Sequence, residues 1–411
     1  MKKIFFALLF FVSSFTFAQT DMSRIKKDVV YFSSDKLQGR FPGTKYELKA
    51  ANYIAKEFKK YKLEPKGDAN SYLQSFPFKI STNPHATEDQ MESKGTAHNV
   101  VGFLNNDAEY TIVIGGHYDH LGLGLGGNSL DANPKNKIHN GADDNASGTA
   151  GVLELARYYA SNNIKEKHNY LFIAFSAEEE GLLGSKYFTN NPTVPLDKIS
   201  FMINMDMIGR LNETTNKIVI SGVGTSPTIP KALQANENNI IKYKADSAGM
   251  GPSDHASFYL KNIPALHFYT GTHADYHKPS DDADKINFKG EAHVLNFIIK
   301  ITDELAKEDK LVFTSTKNNN NASSSVSFKV TLGVIPDYAY DGKGLRLDGV
   351  TEAKPAQKAG LKQGDVITMM NEFPIENIQD YMKSLSKFQK GQTIQVRLKR
   401  DNQEMVIPVT F

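Results

Sequence analysis

Five short apolar runs recur through the middle of the chain: TIVIG (Thr111–Gly115), YLFIAFS (Tyr170–Ser176), FMINMD (Phe201–Asp206), KIVIS (Lys217–Ser221) and PALHFY (Pro264–Tyr269). Runs of this length and composition suit strands buried on both faces. Helical periods lie among them. Ala146–Asn162 places Val152, Leu155, Ala156 and Tyr159 on one side, and Lys289–Ala306 does the same with Val294, Phe297, Ile298 and Ile301. This alternation predicts an α/β fold with a mixed, mainly parallel central sheet flanked by helices. Ligand sites in open α/β sheets lie at the carboxyl ends of the strands.

Polar residues gather at those ends. The first run leads into Gly115-Gly116-His117-Tyr118-Asp119-His120. Gly141–Gly148 (GADDNASG) opens a helix, Ser176–Gly181 (SAEEEG) follows the second run, and Asp206 closes the third. Tyr276-His277 comes further on. Singly, each has a bland explanation. An Asp pair caps a helix, acids suit a helix N-terminus, and a lone histidine is usually a satisfied structural residue. Asp206 is harder to dismiss, because it is flanked by Met205 and Met207 and its charge needs a partner. Together, imidazoles and carboxylates at successive strand ends suit a divalent metal bound by nitrogen and oxygen.

Composition narrows the chemistry. The 411 residues contain eleven histidines and no cysteine, so thiolate nucleophiles, disulfides and sulfur ligands are excluded. Lys and Arg number 48 against 46 Asp and Glu, a balance that argues against a nucleic-acid partner. Lys2 and Lys3 precede an apolar stretch from Ile4 to Phe17, with Ala18 as the small residue at a cleavage point. Residues 1–18 are expected to be a signal peptide, with a membrane anchor as the alternative. The protein is then exported, periplasmic or secreted, and the mature chain has no membrane span. TSTKNNNNASSSVS (Thr314–Ser327) cannot bury surface and is expected to be a flexible linker. It separates a domain at 19–313 from one at 328–411. Gly122–Gly127 satisfies a G-x-G-x-x-G spacing but does not open a helix, so it predicts a loop beside the site and not a dinucleotide fold.

In order along the chain, LQGRFPGT (Leu37–Thr44), GGHYDHLG, GADDNASG, SAEEEGLLGS, NMDMIG, SDHASF (Ser253–Phe258) and YHKPSD (Tyr276–Asp281) resemble the co-catalytic di-zinc aminopeptidases. That group includes bacterial leucyl aminopeptidases and, more distantly, glutamate carboxypeptidase. The resemblance implies a zinc-exopeptidase fold and two zinc ions. His117 and Asp206 would hold one, Glu179 and His277 the other, and Asp144 would bridge them, with a cis peptide beside it. Glu178 would be the general base toward a metal-activated bridging water, Asp119 would orient the ligand imidazole, and Tyr276 would stabilise the oxyanion. His120, His139, His255 and His273 are placed outside the ligand set. The implied substrates are peptides with a free N-terminus. This chain departs from many relatives in lacking an inserted domain before the HYD motif and in having no disulfide near the pocket.

Residues 328–411 resemble a PDZ domain of the bacterial protease-associated type, a small β-rich module, through Thr331–Val334 and the PAQKAGLKQGDVI stretch (Pro355–Ile367). Such domains capture a peptide C-terminus by strand addition. Leu332, Gly333 and Val334 would form the capturing loop, unless the module only docks on the catalytic domain. Three other functions remain open on the same sequence. They are glutaminyl cyclisation, carboxypeptidase action and a non-enzymatic PDZ-based peptide-binding protein.

Overall fold

The computed structural model describes residues 20–411 apart from 81–91, 127, 317–329, 337–339, 341, 351–353, 377, 386 and 402. The expected signal peptide and most of the expected linker lie outside the described residues.

The larger domain is built on a nine-stranded sheet. Its strands are β1 (Glu64–Pro65), β2 (Leu73–Ile80), β3 (Glu92–Leu104), β4 (Thr111–His117), β5 (Asn169–Phe175), β6 (Ile199–Met205), β7 (Lys217–Ser221), β8 (Lys242–Ala245) and β9 (Ala265–Tyr269). The spatial order is β1-β3-β5-β4-β6-β9-β7-β8, with β2 paired to β3. The four central strands, β5, β4, β6 and β9, are mutually parallel. Antiparallel β3 and β7 flank them. The five apolar runs thus became strands within a few residues of the expected bounds. The β2–β3 pair, which alternates less clearly, had no such signal.

Both sheet faces are covered. β5 shows why a continuous apolar run is required. Tyr170, Phe172 and Ala174 join one core with Val29, Ile54, Leu155 and Ile298, from the helices Met22–Phe32, Lys45–Lys60, Gly148–Ser161 and Phe288–Leu305. Leu171, Ile173 and Phe175 point the other way, toward Phe188 and Phe258 of the helices Leu183–Asn190 and His255–Tyr259. Helix starts follow local rules. Asp21, Thr44 and Asn287 each accept a backbone N–H from the first turn. Arg157 is buried between Asp28 and Glu57, tying three of the helices together.

The smaller domain has β10 (Val334–Pro336), β11 (Leu345–Val350), β12 (Val366–Met370), β13 (Phe373–Pro374), β14 (Thr393–Arg400) and β15 (Gln403–Thr410). They form an antiparallel sheet in the order β10-β11-β12-β14-β15, with β13 on β12 and the helix Ile378–Leu385 beside it. Leu332, Leu347, Ile367, Val396 and Leu398 fill its own core. The stretch expected to be a linker begins ordered: Thr314 N–H donates to Thr225 O at 2.8 Å. No helix among the described residues is long and apolar enough to cross a membrane.

Candidate metal centre

The parallel strands deliver the site to one edge. His117 ends β4, Glu178 and Glu179 follow β5, Asp206 follows β6, and His277 lies on the loop after β9. Asp144 comes from the turn Ala142–Ser147 that precedes the helix Gly148–Ser161. Ala177, Met207 and His277 take positive φ values of 56°, 55° and 54°, so three of these turns bend the chain where side chains normally resist. Gly141 has φ +55°, and a Cβ there would fall 2.0 Å from Asp144 O. Only glycine permits that close return of the Asp144 loop. The Asp144–Asn145 peptide is cis.

Two groups of ligand-type side chains share Asp144. His117, Asp144 and Asp206 form one, and His120, Asp144 and Glu179 the other, with the ligand atoms of each within 4.8 Å of one another. His117 Nε2 lies 3.4 Å from Asp144 and 3.3 Å from Asp206. His277 Nε2 lies 3.2 Å from Asp144 and 3.1 Å from Glu179. All five residues expected as ligands are therefore brought together. The structure also places His120 Nδ1 2.6 Å from Glu179, a contact that sequence reasoning left out by setting His120 aside. The adjacent His120 in the HYDH string was the available signal.

The charge balance demands a cation. Asp119, Asp144, Glu178, Glu179 and Asp206 crowd a largely buried space against a few imidazoles. Uncompensated buried carboxylates are costly, and a divalent ion bound by nitrogen and oxygen offsets them. The donor set therefore fits two metal ions. Burial alone would lower the His117 pKa, but Glu178 and Asp206 outweigh it and raise it well above the ordinary value. His277 is raised in the same way, by Glu179 and Asp144. Burial would raise Asp144, yet the imidazoles of His117 and His277 hold it well below the usual carboxylate range. Glu178 goes the other way, pushed well up by burial.

Supporting contacts surround these side chains. Asp119 lies 3.7 Å from His117 Nδ1 and accepts the Glu178 N–H at 3.1 Å. The glycine-containing loop lies beside the site, as expected. Asn128 donates to Glu179 O at 3.0 Å, its own carbonyl is 2.9 Å from His277 Nδ1, and Leu130 N–H donates to His277 O at 3.0 Å. Tyr276 stacks on His277 with ring centres 3.9 Å apart. Burial raises its phenol well above the ordinary range, so it keeps its proton. Arg40, in LQGR, had no role assigned from sequence. It is fully buried and donates to the carbonyls of Phe32, Tyr118, Asn140 and Gly141. It thereby ties the His117–Asp119 segment to the loop that leads into Asp144. His139, His255 and His273 belong to neighbouring structure. His139 bonds Ser129 at 2.7 Å, His255 stacks on His267, and His273 lies 3.2 Å from Asp143.

A cavity of about 250 Å³ opens over this centre, lined by Asp144, Glu178, Glu179, Asp206, Tyr276 and His277 among others. Residues 99–302, which hold every one of these groups, match the family profile of Peptidase family M28, and residues 309–410 match the PDZ domain. The chain carries an M28-family metallopeptidase domain followed by a PDZ domain. The M28 domain is 30% identical over 185 residues to leucine aminopeptidase 2 of Trichophyton rubrum, covering 42% of this chain and 36% of that protein. The chain thus spans little more than a third of that relative's length. In fold, it is similar to a leucine aminopeptidase precursor from Bacteroides thetaiotaomicron (TM-score 0.56, 20% identity, 70% of this chain and 98% of that one). Glutaminyl cyclase from Bacteroides thetaiotaomicron is similar to nearly the same degree, with TM-score 0.55, 20% identity and the same coverage. Likeness at this level concerns the fold and does not choose between the two reactions.

In the PDZ domain the three residues expected to capture a carboxylate differ in setting. Leu332 is buried in the module's core, and its carbonyl accepts from Ala356 N–H at 2.8 Å. Gly333 turns at φ +71°, and its N–H is engaged by Thr331 Oγ1 at 3.0 Å. Val334 begins the edge strand β10.

Proposed function

We propose that this protein is an exported, zinc-dependent aminopeptidase that removes N-terminal residues from peptides. The observation that carries the reading is Asp144 lying within reach of His117, which neighbours Asp206, and of His277, which neighbours Glu179, with Glu178 beside them. His117 and Asp206 would hold one ion, Glu179 and His277 the other, and Asp144 both. Two such ions supply Lewis acidity and make water nucleophilic near neutral pH. Glu178, whose Oε2 is 3.9 Å from His117 Nε2, is free to take the proton of the attacking water and pass it to the leaving amine. Tyr276 Oη–H donates to the developing oxyanion. Asp119 fixes the His117 ring and the Glu178 backbone. The surrounding carboxylates favour a substrate that presents a free ammonium group. The PDZ module would bind a peptide C-terminus.

Glu178→Gln tests the role of the base. The expected result is a fall in kcat of about 10²–10⁴ with metal content unchanged. Undiminished hydrolysis would remove Glu178 from that role. Free and N-blocked peptides, each with and without a chelator, test exo-action and metal dependence together. Cyclisation of an N-terminal glutaminyl peptide without hydrolysis would replace the peptidase reading with the cyclase one.

A further inference from the structure

The cavity over the metal centre is not built by the M28 domain alone. Besides the carboxylates, its lining includes Met207, Val219, Tyr269 and two residues of the PDZ domain, Val334 and Pro336. Those two are the ends of β10, and side chains two apart in a strand share a face. Both are half-buried. β10 is also the edge of its sheet, paired among the described residues with β11 alone, so nothing in the PDZ sheet covers its outer side.

An independent set of contacts brings the chain to this place. After the last helix of the M28 domain, Leu311 is buried and its N–H donates to Ser200 Oγ at 3.1 Å. Thr316 Oγ1 lies 3.0 Å from the Tyr259 hydroxyl and accepts from Gly249 N–H at 3.2 Å. Gly249 is close in sequence to Pro252, which lines the same cavity. Residues 311–316 are therefore fastened to the M28 domain, with Thr316 held at Gly249, three residues from Pro252 in the cavity lining.

We infer that Val334 and Pro336 are specificity-determining residues, through which the PDZ module supplies one wall of the substrate pocket and contacts the side chain of the residue being cleaved. This rests on the peptidase reading above. β10 adds two apolar residues to the cavity lining, which favours a bulky apolar side chain over a small one. Without it, that side chain would lie against water. Discrimination between side chains differing by a few methylenes rests on such contacts.

Two measurements on the full chain test the inference. The protein has no cysteine, so introduced pairs report proximity without background. Ser221→Cys with Val334→Cys is expected to be joined within one chain by a short bismaleimide. Asp107→Cys with Val334→Cys, on a loop at the amino end of β4, is expected to stay unlinked. In the second measurement, Val334→Ser/Pro336→Ser is expected to lower the leucyl-to-alanyl ratio of kcat/KM about tenfold, mainly through the KM of the leucyl peptide. Metal content should hold. A folded, metal-loaded double variant with an unchanged ratio, or a failed cross-link, overturns the inference. A wild-type protein that hydrolyses nothing overturns the peptidase reading alone, and the cross-link then still decides whether the PDZ strand forms the wall.

Discussion

Arg40→Lys separates two effects that one buried guanidinium combines. Arg40 is surrounded by acidic groups, chiefly Asp119, Asp144, Asp281 and Glu179, and burial lowers its pKa to about 10, so it stays charged at neutral pH. That charge opposes the metal cations. Its fork, however, holds four carbonyls, including Tyr118 O beside His117 and Gly141 O at the entry to the Asp144 loop. Lysine keeps the charge and loses the fork, leaving the electrostatic effect nearly constant. An ammonium on a flexible stem cannot reach all four acceptors. One or two buried carbonyls left unpaired at about 1–3 kcal/mol each give roughly 1–6 kcal/mol of lost stability. Loosening the two ligand-bearing segments should also weaken metal binding about 10–100-fold, the usual scale for losing support around metal ligands. Denaturant unfolding of the metal-free protein and calorimetric metal titration measure the two quantities. A destabilised variant with wild-type metal affinity would show that Arg40 holds the fold only. Full stability would show that the fork is not needed.

Arg157→Met serves as the contrast. It strands Asp28 and Glu57 in the core, so unfolding should come about 3–5 kcal/mol sooner while metal affinity, measured in the same titration, stays within about twofold. Metal binding at neutral pH should release protons, because His117 and His277 are raised in the metal-free protein and must be neutral to ligate. Calorimetry in buffers of different ionisation heat counts them, and a heat independent of buffer would refute the assignment. The same shifts set a pH trend. Stability from a raised imidazole is complete below about pH 6.5 and is lost as pH rises through the folded value. Glu178, also raised, acts in the same direction. The melting temperature of the metal-free protein should therefore fall as pH rises above about 6.5, and a flat profile would contradict this.

Much of the centre was legible because strand ends are short-range features. An apolar run that stops at His117, or just short of Glu178 or at Asp206, states in sequence both the strand and the side chain it presents. The parallel order of β5, β4, β6 and β9 then converges those ends without further information. His277 stood out among the polar residues downstream of the strands, but its role as a ligand came only through resemblance. His120 was set aside with His139, His255 and His273, outside the ligand set that the resemblance implies. Directly after a strand, a second histidine two residues beyond Tyr118 has no periodicity to say which way it turns, and only the packed loop brings it to Glu179.

Arg40, and the place of Val334 on the cavity, were illegible for a deeper reason, because their partners are far away in the chain. A buried arginine is improbable on composition alone, and nothing local in LQGR indicates that carbonyls about a hundred residues on, at Asn140 and Gly141, will converge on it. Val334 was singled out only as part of a peptide-capturing loop, and its place in the cavity lining shows only once the PDZ module is set against the metal centre. The pattern separates two kinds of information. Residues of the candidate centre sit where the backbone changes direction, and motifs record them. Residues that position the chemistry or shape the pocket act across domains and loops, so they become visible only once packing is known. Variants at Arg40 and Val334 should accordingly alter metal affinity and side-chain preference, respectively, while every motif that identifies the domain remains intact.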